Sequence, residues 1–146
     1  MTVRGKRMMN QRTLASLCKQ HNIQKDEWGR LILYKGVTDH FNSVYFPKVG
    51  TSPYKPGTLV EMKRIKHRDQ WNEIQNCSVG CAPGLNVCSL TEQARCFGSR
   101  VVEVRVYPKD ILGCNYNLCS LYKIRCRRLY VEKEIPLISI VRTFTL

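Results

Sequence analysis

Residues 77–110 constrain the fold of this chain more than any other segment, because three recognisable elements follow one another within them. Residues 82–84, Ala-Pro-Gly, are typical of a turn. Ser89 and Glu92 have the spacing of a capping box, which predicts that a short helix begins there. Residues 100–107 then alternate between valines and charged side chains, the pattern of a strand with one buried face. The segment therefore indicates a fold that mixes helix and strand.

Patterns along the rest of the chain complete the predicted architecture. The helical spacing of Leu14, Leu17 and Cys18 predicts a helix over residues 11–20. Apolar or alternating runs predict further strands over residues 30–37, 58–62, 85–88, 122–127 and 135–146. At 146 residues the chain has the length of one ordinary domain. We therefore expect a single α+β domain over residues 1–146, with a curved, mainly antiparallel sheet, two short helices and a flexible basic terminus over residues 1–9.

The chain carries a large excess of positive charge. Its 24 Lys and Arg residues and 11 Asp and Glu residues give a formal net charge of +13. Self-repulsion of this size costs stability unless an acidic partner offsets it, and nucleic acid, an acidic protein surface or an anionic membrane would each be attracted. No run approaches the roughly 20 apolar residues that span a bilayer, and no apolar stretch follows the basic amino terminus as in a signal peptide. We expect neither membrane insertion nor export.

Two basic clusters contain the candidate binding residues. Each combines cations with aromatic side chains that can stack on nucleic-acid bases. The first cluster is Lys63, Arg64, Lys66 and Arg68 with Trp71 close behind, and the second is Lys123, Arg125, Arg127 and Arg128 between Tyr122 and Tyr130. One charge run is usually a solvated surface, but two runs in a chain of this net charge favour an anionic partner. We expect these residues to bind nucleic acid or an acidic host protein, and the pattern does not distinguish the two.

The eight cysteines raise the question of a metal site. In a chain that is not exported, cysteines are more often reduced thiols or metal ligands than disulfides. No Cys-x-x-Cys pair, the usual zinc signature, occurs here. Cys96 and Cys126 fit best as small buried hydrophobic residues. The candidate ligands for a structural zinc ion are the four cysteines in loop-like surroundings: Cys77, Cys81, Cys114 and Cys119.

The chain shows no pattern of catalytic residues. Nucleophilic catalysis needs a thiolate or hydroxyl with a base close in space. His21, His40 and His67 lie in polar stretches, and no spacing ties them to a cysteine. There is also no phosphate-binding glycine loop of the P-loop or Rossmann type. We therefore predict no catalytic residues.

The order of several short motifs resembles the carboxyl-terminal domain of phage rIIB-like proteins. The matching segments are residues 29–37, 54–62, 81–86, 102–111 and 123–125, which lie within a stretch from about residue 14 to about residue 131. The resemblance implies a phage accessory protein that is associated with overcoming host exclusion and has no assigned reaction. Where that family usually has His after Gly-Leu, this chain has Asn86, so any chemistry assigned to that position does not transfer.

A second set of motifs is similar to the ADP-ribosyltransferase fold. Residues 33–36, Leu-Tyr-Lys-Gly, resemble its first-strand nucleotide-binding motif, and residues 83–87 resemble a later strand. The resemblance implies an NAD cleft between Lys35 and Asn86, and a glutamate near the last strands that orients a ribose hydroxyl. Leu129 stands at the position of that glutamate. The nearest glutamates are displaced from it: Glu132 and Glu134.

These observations lead to one expectation of function and one alternative. We expect a non-enzymatic phage accessory protein in the host cell cytoplasm. It would bind its anionic partner through the basic surface and modulate host nucleic-acid or defence machinery by occlusion. The alternative is an ADP-ribosyltransferase-like protein that binds NAD or transfers from it. No cofactor is expected for the first function, and zinc is the one candidate metal.

Overall fold

The structure is a computed structural model, and it describes residues 2–3, 6–7, 11–44, 50–63, 84–114 and 124–144. The α-helices in these residues are α1 (Gln11–Gln20), α2 (Thr91–Arg95) and α3 (Leu137–Phe144), and Pro108–Asp110 form a 3-10 helix. The strands are β1 (Thr2–Val3), β2 (Lys6–Arg7), β3 (Leu31–Val37), β4 (Leu59–Glu61), β5 (Leu85–Val87), β6 (Arg100–Val106), β7 (Ile111–Cys114), β8 (Ile124–Cys126) and β9 (Arg128–Ile135). The helix predicted over residues 11–20 is confirmed.

The described strands form two larger sheets and one short hairpin. The order of the four-stranded sheet is β3-β6-β9-β4, and that of the three-stranded sheet is β5-β8-β7. The neighbouring strands in both sheets are antiparallel. The hairpin pairs β1 with β2, within the segment expected to be a flexible terminus. The predicted α+β class and mainly antiparallel pairing are confirmed, but the strands divide between two sheets.

The main hydrophobic core takes side chains from both larger sheets and from α1. Its members include Leu14, Leu33, Val60, Ile124 and Val131. Val102, Val104 and Val106 of β6 also face this core, as the alternating pattern predicted. The sheets are linked where the backbones of Tyr34 and Cys88 exchange hydrogen bonds of 2.9 and 2.6 Å. The core therefore joins the two sheets into one packed unit.

The opposite face of the four-stranded sheet is divided between an apolar end and a polar end. Around Val101, α2 and α3 contribute Ala94 and Ile140 to a second cluster of buried side chains. Further along the same face lie Arg105 of β6 and Tyr130 of β9, which are opposite each other in the strand register. The polar end contains the candidate functional site.

The strand predicted over residues 135–146 is wrong, and it makes the predicted number of helices too small. Leu137–Phe144 form an α-helix, the third among the described residues. The β-branched residues of this segment favour a strand by propensity alone. Pro136 stands directly before the helix, and its carbonyl oxygen accepts a hydrogen bond of 3.0 Å from the Ser139 amide. Burial of Ile140 against the second cluster decides the conformation.

The helix predicted after residue 89 is present, but the predicted capping box is not. The N-cap of α2 is Leu90, which makes no side-chain cap hydrogen bond. The Thr91 hydroxyl donates instead to the Glu92 carboxylate at 3.0 Å. Glu92 therefore bonds to a hydroxyl within the helix rather than to the backbone of Ser89.

Gly36 on β3 allows α2 to approach the sheet closely. A Cβ atom at this position would overlap the Ala94 carbonyl oxygen and lie 2.8 Å from the Phe97 carbonyl carbon. We therefore expect Gly36→Ala to lower the free energy of unfolding by about 1–3 kcal/mol, the usual cost of overpacking. Urea unfolding is the measurement, and Lys55→Ala on an exposed loop is the control. Equal stability of the two variants would show that α2 moves away without cost.

Candidate functional site

A cleft of about 340 Å³ lies at the polar end of the four-stranded sheet. Cations and aromatic side chains dominate its lining, which contains one carboxylate. The lining residues are Arg30, Leu59, Arg105, Tyr107, Lys109, Asp110, Arg128, Leu129 and Tyr130. The cleft is within the usual volume range of small-ligand sites, about 300–1,000 Å³.

Strand register places the central side chains of the cleft in one row. Arg105 is opposite Ile32 on one side and Tyr130 on the other, and Tyr130 is opposite Leu59. Because Val104 and Val106 point into the main core, Arg105 points to the other face of the sheet. The row therefore crosses the four strands at the polar end.

A single carboxylate, Asp26, holds two of the arginines in place. Its Oδ2 accepts from Arg30 Nε at 2.8 Å and from Arg105 Nη1 at 3.1 Å. Its Oδ1 accepts from the backbone amides of Trp28 at 3.0 Å and Arg30 at 2.9 Å. Arg105 Nη2 also donates to Glu103 at 2.7 Å. The loop that precedes β3 is thereby tied to the centre of the sheet.

These contacts keep Asp26 and Arg105 ionised. Burial by itself would raise the pKa of Asp26, but hydrogen bonds from Arg30, Arg105 and the Trp28 amide outweigh it and lower the pKa to about 2. Burial would lower the pKa of Arg105, but its hydrogen bonds to Glu103 and Asp26 raise it instead. The Arg105 guanidinium is therefore charged at any ordinary assay pH, and Asp26 holds it and Arg30 in place.

Aromatic rings lie against the cations of the cleft. The guanidinium of Arg30 is 5.2 Å from the centre of the Trp28 ring and 5.6 Å from that of Tyr130. The ammonium of Lys109 is 5.5 Å from the centre of the Tyr107 ring. All three distances are within the range of cation–π attraction. Trp28 is 64% exposed and Tyr107 is 43% exposed, so most of the Trp28 ring and much of the Tyr107 ring face solvent.

One rim of the cleft is built around Asp110, which is buried. Arg127 Nε donates to its carboxylate at 2.7 Å and Arg128 Nε at 3.4 Å. Arg128 is opposite Glu61 in the strand register, and their charged groups are 3.8 Å apart. The Met62 amide donates to the Arg127 carbonyl at 2.8 Å. The residue after Met62 therefore lies beside the second basic cluster.

The predicted binding residues divide into three groups. Lys63, Arg127 and Arg128 lie together on this rim, and all three reach solvent. Arg125 is 1% exposed, so the expectation of a surface position is corrected. The alternation with Ile124 and Cys126 predicts which face of the strand Arg125 occupies. It does not predict that this face is covered by other residues. The remaining predicted residues lie outside the described residues: Arg64, Lys66, Arg68, Trp71 and Lys123.

The sequence prediction missed the other cations and most of the aromatic residues of the site. The sequence pattern places Arg30 only in a strand, and it predicts no role for Lys109. A signal is present in the sequence, since Trp28 and Arg30, and likewise Tyr107 and Lys109, are an aromatic and a cation two residues apart. Each pair stands at one end of a predicted strand, where side chains reach the same rim of a sheet.

Lys35, which the ADP-ribosyltransferase resemblance places at an NAD cleft, is buried in the main core. It is 5% exposed, and its ammonium donates to the Asn86 carbonyl at 2.8 Å and lies 4.8 Å from the centre of the Tyr54 ring. Burial lowers its pKa to about 8, with a smaller opposing effect from Cys88 and Cys126. The Lys35 ammonium is thus bonded directly to the Asn86 backbone and is not exposed at a cleft.

Of the two glutamates in the same resemblance, one pairs with an arginine and the other is exposed. Glu134 accepts two hydrogen bonds from Arg100 Nη1, at 3.0 and 3.1 Å. Glu132 is exposed on β9. Leu129, which stands at the expected glutamate position, contributes to the main core and is not ionisable. The described residues therefore do not assemble the expected set around Lys35.

Of the four candidate zinc ligands, Cys114 lies on β7 and is buried in the main core. Cys77, Cys81 and Cys119 lie outside the described residues. In the part of the chain that is described, no group of three or more His, Cys, Asp or Glu side chains is placed to hold a metal ion.

Among the helices of the described residues, none is long and apolar enough to cross a membrane.

The composition of the cleft lining indicates what kind of ligand the cleft suits. Its guanidinium groups, which carboxylates hold in place, and its aromatic rings are suited to binding a ligand that has anionic and planar groups. Comparisons with protein-family models, with curated proteins and with solved structures find no match for this chain.

Proposed function

We propose that this protein binds nucleic acid through the basic rim that consists of Lys63, Lys109, Arg127 and Arg128. The observation that carries the proposal is the pairing of β4 with β9, which brings the start of the first basic cluster beside the second. The two clusters were separate in the sequence. Cations gathered at one rim can neutralise consecutive phosphates and release their counterions.

The rim has an excess of positive charge. Lys63 and Lys109 form no ion pair with any described residue, and both are exposed. Arg127 and Arg128 share Asp110, and Glu61 is at 3.8 Å from Arg128. Four cations therefore face two carboxylates, in a chain whose net charge is +13. The aromatic rings beside the cleft favour nucleic acid over an acidic protein surface, because bases stack on such rings.

The resemblance to phage rIIB-like proteins supports a biological setting for this binding. In our proposal the protein is a phage accessory protein that acts in the host cytoplasm. It would occupy a nucleic acid that host replication or defence machinery uses, and occlusion would be its mechanism. An acidic host protein is the competing partner, and the experiment below separates the two.

The test is fluorescence anisotropy with a labelled oligonucleotide and with its duplex, over about 50–300 mM salt. We expect binding that weakens steeply with salt. The double variant Lys63→Glu and Lys109→Glu should bind at least about tenfold more weakly, with a salt slope reduced by about two. These lysines are chosen because neither pairs with a described carboxylate, so the fold should be retained.

The control carries the same change of charge elsewhere. Lys19→Glu with Lys55→Glu alters two exposed lysines, one on α1 and one on a loop. Equal losses in the two double variants would show that only net charge matters and would remove the rim from the proposal. Absence of binding to every oligonucleotide at low salt, together with a lysate partner that survives nuclease, would replace nucleic acid by an acidic protein.

A further inference from the structure

We infer that the cleft binds unpaired nucleotides, so that the ligand is a single strand rather than a duplex. This rests on the proposed function and specifies its ligand. Trp28, Tyr107 and Tyr130 would stack on bases, and Arg30 and Lys109 would contact the adjoining phosphates.

The two exposed rings are held by fixed turns. Asp26 binds the Trp28 and Arg30 amides through Oδ1, and Gly29 donates to the Asp26 carbonyl at 3.0 Å with a φ of 79°. Tyr107 is followed by Pro108, and its carbonyl accepts from the Asp110 amide at 2.8 Å. Rings on such turns lose little freedom when a ligand binds, which favours affinity.

The two exposed rings also have accessible surface: Tyr107 lines the cleft, and Trp28 lies against Arg30, which lines it. A cation lies near one side of each exposed ring, and both rings retain large exposed areas. The open surface is available to a planar base, and the guanidinium of Arg30 can itself stack. The cation beside each ring can also attract the backbone phosphates that adjoin a stacked base.

A duplex cannot use these rings. Its bases are stacked within the helix and show only their edges in the grooves, whereas the bases of a single strand can separate and stack on side chains. A duplex would therefore contact the rim through phosphates alone. The cleft predicts a preference for single strands that net charge would not produce.

The experiment compares three labelled ligands of about 12 nucleotides: a single strand, the same strand with abasic sites throughout, and the duplex. We expect the single strand to bind about tenfold or more tightly than the abasic strand. In a Trp71→Phe background, which leaves Trp28 as the one tryptophan, the single strand should quench the fluorescence and the abasic strand should not.

The double variant Trp28→Ala with Tyr107→Ala should lose this preference, so that single and abasic strands bind within about twofold of each other. The matched control, Leu137→Ala with Ile138→Ala, removes exposed apolar surface from α3 and should retain it. Equal binding of all three ligands, unaffected by the ring variants, would overturn this inference and leave the proposed function standing. No binding of any ligand would overturn both.

Discussion

Replacing Asp26 with alanine should lower the free energy of unfolding by about 3–5 kcal/mol, the usual cost of removing one partner from a buried ion pair. The side chain of Asp26 is 6% exposed and binds Arg30, Arg105 and two backbone amides. Its removal leaves two largely buried guanidinium groups without their shared carboxylate. It also releases the turn that holds Trp28, so binding of single strands should weaken together with stability.

Urea unfolding of the Asp26→Ala, Asp26→Asn and wild-type proteins measures the effect. Asparagine can still accept the two amide hydrogen bonds but carries no charge, so we expect an intermediate loss. Glu132→Ala on exposed β9 is the control and should change stability by no more than about 0.5 kcal/mol. A loss of that small size in Asp26→Ala would show that the arginines find other partners.

Acid should remove the contribution of Asp26. Its pKa is lowered from the ordinary 3.8 to about 2 in the folded protein, so its stabilisation is fully present above pH 3.8 and is lost as the pH falls toward 2. The difference in stability between wild type and Asp26→Ala should shrink over that interval. A difference that is constant with pH would mean that the carboxylate contributes by packing rather than by charge.

The sequence predicts single elements well where one pattern dominates. Alternation in residues 100–107 correctly places Val104 in the core and Arg105 on the opposite face. The segment after Pro136 misleads, because β-branched residues favour a strand while burial of Ile140 favours a helix. Propensity depends only on the residues of the segment itself, whereas packing against α2 depends on residues elsewhere in the chain.

The candidate site is less predictable because its residues are distant in the chain. Asp26 and Arg105 are 79 positions apart, and only the pairing of β3 with β6 brings them together. Lys63 and Arg128 were predicted as members of separate clusters for the same reason. The burial of Arg125 is not predicted either, because alternation shows which face of a strand a residue occupies but not which layer covers that face.

Lys35 shows what burial does to a charged amine that contacts no carboxylate among the described residues. It lies on β3 with Leu33 and Val37, which point into the main core. Its ammonium contacts the Asn86 carbonyl and the Tyr54 ring, neither of which carries a negative charge. The charged amine is therefore disfavoured, and its pKa falls from 10.5 to about 8.

Wild-type protein should therefore gain about 3 kcal/mol of stability relative to Lys35→Met as the pH rises from about 8 to about 10.5. In this interval the unfolded chain keeps a proton on Lys35 that the folded protein has released, so raising the pH favours the folded state. Below about pH 8 both states are protonated and the difference between the two proteins should be constant.

Urea unfolding of both proteins across this pH range, with reductant present, provides the measurement. Loss of the hydrogen bond to Asn86 in Lys35→Met shifts its stability by an amount that does not depend on pH, so the slope isolates the amine. Burial raises the pKa of Cys126 to about 12, which keeps this thiol protonated in both folded proteins. Lys55→Met, which changes an exposed lysine, should run parallel to wild type. If Lys35→Met ran parallel as well, the amine would titrate alike in the folded and unfolded states, and the core would be more polar around it than its apolar neighbours imply.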